Sequence, residues 1–155
     1  MDLTNLYLLT ASEAARLIRD GVINSEQLVE ACLTHIHALD DNVQAWAFLD
    51  SEYALTQARA LDQHRLAGKP TGPLHGVPVA IKDIFDTADM PTEYGSAIYA
   101  GRTPSRDSTV VSLLRAAGAV IMGKAVTTEF TPAKAVSLLE QLRRGKEAKS
   151  GATGR

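Results

Sequence analysis

Between residues 68 and 73 the chain reads Gly-Lys-Pro-Thr-Gly-Pro, so four of six positions are glycine or proline. Proline fixes φ and lacks a backbone N–H, and glycine loses the most entropy on ordering, so no regular helix or paired strand crosses this stretch. Whatever precedes the break ends there, and the chain must start a new element after it. That element is Gly76-Val77-Pro78-Val79-Ala80-Ile81, a short apolar run of strand type leading into Lys82-Asp83. Pro78 cannot donate to a ladder, so the start of this strand is not a fully paired central position. Residues 86–106 show little helical periodicity, and Pro91, Gly95, Gly101 and Pro104 mark a long loop. Loops of this length are often functional. Asp107 or Ser108 can then cap a helix carrying Val110, Val111, Leu113 and Leu114, which stops near Gly118. Ala119 to Met122 follows as a buried-type strand.

Upstream of the break the spacing predicts more helices. Ser12 can cap the first, whose apolar face is Ala14, Leu17 and Ile18 and whose end is Gly21. Ser25 can cap the second, with Leu28, Val29, Cys32, Leu33, Ile36 and Leu39 at helical spacing. Val43 to Leu49 suits a strand. Ser51 opens a further helix with Ala54, Leu55, Ala58, Leu61 and Leu66 on one side. Strands alternating with helices predict an α/β fold, with a partial mixed, mainly parallel sheet flanked by helices.

Composition narrows the function classes. The chain has 155 residues, 45% hydrophobic and 22% charged, an ordinary globular make-up. Its net charge of −2 leaves no overall electrostatic footprint for nucleic acid or an anionic membrane. That balance averages two unlike parts. Residues 1–130 hold 10 basic and 16 acidic residues, a net of −6, whereas residues 131–155 hold 6 and 2, a net of +4. The expected organisation is an α/β segment over 1–130 and a basic helix with a frayed end over 131–155. Thr131 and Pro132 would start that helix, and Val136, Leu139 and Leu142 would form its apolar edge. One cysteine, Cys32, excludes an intramolecular disulfide, and its place on the apolar stripe predicts a core thiol rather than a nucleophile. The first residues lack the basic and apolar regions of a secretory signal, and no run approaches a membrane span, so a cytoplasmic location is expected.

Three features invite chemistry. Gly118 to Lys124 matches G-x-x-x-x-G-K, but Ala125 stands where a hydroxyl should bind magnesium, and the intervening residues form an apolar strand instead of an open phosphate cradle. The histidines, His35, His37, His64 and His75, have no metal-ligand spacing, and His75 stands out only for lying beside the Lys82 strand. Lys82 is the informative residue. At the end of a buried strand it would be desolvated, which favours a neutral amine able to act as a general base. The competing reading is a lysine that reaches solvent and pairs with Asp83.

The run Gly72-Pro73-Leu74-His75-Gly76-Val77-Pro78-Val79-Ala80-Ile81-Lys82-Asp83 resembles the lysine segment of the amidase signature family. Asp107 through Lys124, followed by Thr127-Thr128-Glu129-Phe130, is similar to the same family, as is Thr92-Glu93-Tyr94-Gly95-Ser96. The resemblance covers about residues 7–130. It implies hydrolysis or transfer of an amide by a nucleophilic serine, a bridging serine with a cis peptide bond, and a lysine, with no metal or organic cofactor. It carries over one catalytic residue, Lys82. It also implies a small-molecule amide substrate for the full-length family, with no nucleic-acid or membrane partner expected.

The family's Gly/Ser-rich loop, which supplies both serines and the oxyanion donors, has no counterpart here. The chain contains neither Gly-Gly nor Ser-Ser. The expectation is therefore an amidase-family N-terminal fragment, inactive alone, whose exposed sheet edges favour self-association. Two alternatives stand beside it: a non-catalytic binding module using the basic segment, and a fragment of the glutamine-hydrolysing subunit of a tRNA-dependent amidotransferase.

Overall fold

The computed structural model describes residues 3–129, and the 131–155 segment with its expected helix lies outside them. A 3-10 turn at Leu3–Leu8 leads into α1 (Ala11–Arg19) and α2 (Ser25–Val43). Then come β1 (Trp46–Leu49), α3 (Ser51–Leu66), β2 (Pro78–Lys82), a short 3-10 turn at Ala97–Tyr99, α4 (Thr109–Ala116) and β3 (Val120–Ala125).

α1 and α2 start where reciprocal caps form. Thr10, not Ser12, caps α1: its hydroxyl accepts from the Glu13 N–H, and the Glu13 carboxylate accepts from the Thr10 N–H at 2.9 Å. Asn24, not Ser25, caps α2 through the same exchange with Gln27. In both cases the acceptor three residues downstream decides which polar residue becomes the cap. Asp62 of α3 completes the start of α2, its carboxylate accepting from the buried Ser25 N–H at 2.8 Å and the Glu26 N–H at 3.0 Å. At the C-terminal end Val43 belongs to α2, so β1 begins three residues later than its apolar run suggests.

The sheet has the order β1-β3-β2. β3 pairs antiparallel with β1 and parallel with β2, which makes the sheet mixed with one pair of each kind. α4 is the crossover between the two parallel strands. As an edge strand, β2 tolerates Pro78. The first five residues of β3 are buried, consistent with a strand covered on both faces. Val120 and Met122 pack with Val29, Leu33, Ala54 and Ala58 from α2 and α3. Ile121 packs on the other face with Ile81, Met90 and Val111. Gly123 is required at the centre, because a Cβ there would meet the Phe48 carbonyl oxygen of β1 at 2.3 Å.

α4 buries less than its composition suggests. Val111 is fully buried, but Val110 and Leu113 are 46% and 65% exposed. Cys32 is half-buried between two core clusters, and burial pushes its thiol pKa up, which suits an unreactive packing role.

The tie between α3 and α2 generates a prediction. Asp62→Ala leaves two N–H groups at the start of α2 without their acceptor, at a cost of about 2–3 kcal/mol. Urea unfolding followed by circular dichroism should show that loss, and a change under about 0.5 kcal/mol would contradict the role of Asp62.

Candidate active site

Lys82 ends β2, and the pleat decides where it points. Ile81 and Asp83 are 3% exposed each and face inward, while Ala80 and Lys82 are exposed. The expected desolvation of Lys82 is thus not present, because nothing among the described residues covers the face that carries it. Its expected alternative partner is absent too: Asp83 points into the protein, away from the lysine side. Among the described residues, no ion pair or hydrogen bond holds the Lys82 side chain. Its backbone is firmly placed. Lys82 lies opposite Ala125 in the parallel ladder, and its carbonyl accepts from the Ile84 and Phe85 N–H groups at 2.8 and 3.0 Å.

Asp83 is the clasp of the following loop. Its N–H donates to the Ala125 carbonyl, and its own carbonyl accepts from the Tyr94 N–H. Both carboxylate oxygens accept from the Glu93 N–H, at 3.3 and 3.1 Å. The carboxylate also meets Lys124 Nζ at 3.2 Å. Lys124 has no exposed surface and is the largest fully buried side chain among the described residues. Its ammonium donates to the Phe85 carbonyl at 3.0 Å, the Pro91 carbonyl at 3.3 Å and the Thr92 hydroxyl. Burial pulls its pKa below the ordinary lysine value, opposed by the hydrogen bond and charge of Asp83.

In the sequence Lys124 stands only at the end of the G-x-x-x-x-G-K pattern that fails as a phosphate loop. The structure agrees that there is no such loop, since Val120 to Ala125 is strand. Strict alternation along β3 would set Lys124 with Val120 and Met122. The pairing shifts between Val79 and Ala80, which brings Lys124 opposite Ile81 instead. The available signal was a lysine inside an otherwise buried apolar strand, which demands a buried counter-ion.

The remaining loop is held by similar ties. Arg102 grips Asp86 with both terminal nitrogens, at 2.9 and 3.2 Å, and lies over the Tyr94 ring at 4.9 Å. Tyr94 donates its hydroxyl to Asp86 at 2.7 Å and occupies the left-handed region at φ 56°. The Thr92 to Ser96 stretch meets Thr127 to Glu129: Ser96 donates to the Glu129 carboxylate at 2.9 Å, and a Cβ on Gly95 would lie 2.5 Å from the Thr127 carbonyl oxygen. Two motifs far apart in sequence therefore form one surface beside the end of β2. Phe130, the last residue of the second motif, is outside the described residues.

His75 does not join them. It is buried before β2, with Nε2 3.0 Å from the Leu61 carbonyl oxygen, so it ties α3 to the opposite end of the strand from Lys82. Beside Asp83 lies a cleft of about 80 Å³ lined by Ala47, Phe48, Asp83, Pro91 and Glu93. Small-molecule sites run to roughly 300–1,000 Å³, so this cleft by itself is too small to enclose such a ligand.

The Arg102 guanidinium lowers the pKa of Asp86, first through its hydrogen bonds. A depressed carboxyl stabilises the fold above its unfolded pKa and loses that contribution as pH falls through the folded value. Arg102→Met should therefore cost stability near pH 7, by no more than about 1 kcal/mol for so exposed a pair. The difference from the parent should shrink below about pH 3. Paired urea titrations at the two pH values measure it, and a pH-independent cost would contradict the ion-pair account.

Known proteins resemble the chain in sequence and in fold. Residues 27–134 match the family model described as Amidase. A glutamyl-tRNA(Gln) amidotransferase subunit of Salinispora arenicola is 48% identical over 128 residues, covering 83% of this chain and 26% of that protein. The corresponding protein of Streptomyces coelicolor is 45% identical over the same length, with the same coverage. The native peptide amidase of Stenotrophomonas maltophilia superposes with a TM-score of 0.75 at 33% identity, covering 82% of this chain and 26% of that one. The chain spans about a quarter of the length of the curated relatives it matches. With the family model matched over more than half its residues and the fold shared with a solved amidase, the chain belongs to the amidase family.

Proposed function

We propose that this segment supplies the lysine of a Ser-cisSer-Lys amide hydrolase, with Lys82 as the base. The observation that carries the reading is the presentation of Lys82: its backbone is locked into the parallel ladder, and its amine projects from an open face with no ion-pair partner among the described residues. Packing of the family's serine-bearing part over that face would desolvate the amine and favour its neutral form. The neutral amine would then take the bridging serine's proton, and that serine would take the proton of the nucleophilic serine. The nucleophile's oxygen would bond to the amide carbon while the carbonyl π electrons move to oxygen. Backbone N–H donors of the Gly/Ser-rich loop would hold that oxyanion. On collapse the C–N bond breaks, and the relayed proton leaves with the amine. Neither serine has a counterpart in the 155 residues, so the chain alone is proposed to be inactive. The charge inversion after residue 130 supports treating 131–155 as a separate segment.

A second reading narrows the substrate. Amidotransferase subunits of Salinispora arenicola and Streptomyces coelicolor are 48% and 45% identical to the chain. That likeness favours the side-chain amide of glutamine over a general amide.

Both proposals have a direct test. The 155-residue chain should release no ammonia from glutamine or a peptide amide above the buffer rate. A chimera carrying residues 1–129 in place of the matching part of the Salinispora arenicola protein should hydrolyse glutamine. Lys82→Ala should lower that rate by roughly 1,000-fold or more, since members of such a unit act together. Turnover by the chain alone contradicts the inactivity. Full activity of the Lys82→Ala chimera contradicts the role given to Lys82.

A further inference from the structure

We propose that Lys124 is a positioning residue for Lys82: by holding Asp83 inside the protein, it denies Lys82 the neighbouring carboxylate that would keep it charged. The inference rests on the reading of Lys82 as a base, which must lose its proton readily.

A carboxylate within reach of a lysine favours the ammonium, and Asp83 is the nearest one in sequence. Its side chain is only 4% exposed and is fully engaged, by Lys124 Nζ at 3.2 Å and by the Glu93 N–H on both oxygens. The backbone of Asp83 is tied to Ala125 on one side and to Tyr94 on the other. The second tie belongs to the loop that Lys124 holds through Phe85, Pro91 and Thr92, so loss of Lys124 loosens it together with the carboxylate. Lys124 is suited to this task because its other partners are neutral. The carbonyls of Phe85 and Pro91 and the Thr92 hydroxyl hold its protons, which leaves Asp83 as its one ion-pair partner among the described residues.

The other acids of the loop are engaged in the same manner. Asp86 is gripped by Arg102 and Tyr94, Asp89 by Arg115 and Tyr53, and the Glu93 carboxylate accepts from the Gly101 N–H at 2.6 Å. Asp86 and Arg102 also face Lys124 electrostatically, with opposite effects on it. Four carboxylates thus follow Lys82 within eleven residues, and each is directed elsewhere. Lys124 is the residue that does this for the one adjacent to the base.

Pulsed acetylation of the full chain with acetic anhydride across pH, read at each lysine by peptide mass spectrometry, tests the proposal. It reports the basicity and access of each amine without needing amide turnover, so its outcome is separate from that of the chimera assay. In the parent chain Lys82 should react at least tenfold faster than Lys124 at pH 8. Lys124→Met frees Asp83, so the Lys82 profile should move to higher pH, with at least a threefold loss of reactivity at pH 8. Lys124→Met with Asp83→Asn should return the profile to its parental position, a reversal that mere loosening of the fold would not produce. Asp83→Asn alone should leave the Lys82 profile in place. An unmoved Lys82 profile in folded Lys124→Met overturns the proposal, as does a shift to lower pH in Asp83→Asn. Should the variants not fold, the parent chain still decides: equal reactivity of Lys82 and Lys124 overturns it.

Discussion

The site depends on one buried charge. Lys124 is enclosed between the central strand and the loop after β2, and every hydrogen it presents has an acceptor. An ammonium in such a place is tolerated only when paired and fully hydrogen-bonded, so the loop must adopt the conformation that provides those acceptors. Phe85, Pro91 and Thr92 are thereby fixed in position relative to β3. Asp83 is fixed with them, and through its backbone it fixes the end of β2. The outward orientation of Lys82 is the other side of the pleat that sends Asp83 inward.

This arrangement joins the conformation of the loop to the chemistry proposed for the strand. Buried ion pairs add little net stability, and their removal one partner at a time is costly. Their value lies in specifying geometry. Here that geometry separates two adjacent residues of opposite charge, Lys82 and Asp83, onto opposite sides of an edge strand. The surface formed by Thr92 to Ser96 and Thr127 to Glu129 extends the same wall. Under the proposed function, a lysine so presented would become a base only when another surface covers it.

Much of this was legible in the residues. The Gly/Pro break at 68–73 and the apolar runs around it place β2 and β3, because local backbone chemistry dictates both. The cap residues were legible in principle: Thr10 with Glu13 and Asn24 with Gln27 have the capping-box spacing, whereas Ser12 and Ser25 lack a partner that completes it. The exposure of Lys82 was not, since a period of two tells that Ile81 and Lys82 face opposite ways but not which face is covered. The register shift that turns Lys124 toward Ile81 is likewise a property of strand pairing that no single strand encodes. The family resemblance pointed to Lys82 and left unseen Lys124, the second lysine, buried against Asp83.

The state of Lys124 is the most direct measure of whether this buried charge organises the site. Titration of the lysine side-chain 13Cε resonances of the full chain by NMR reads each amine separately. The Lys124 midpoint should lie clearly below the ordinary value of about 10.4. A Lys124 midpoint at that ordinary value, indistinguishable from surface lysines, would contradict the enclosure and pairing described for it.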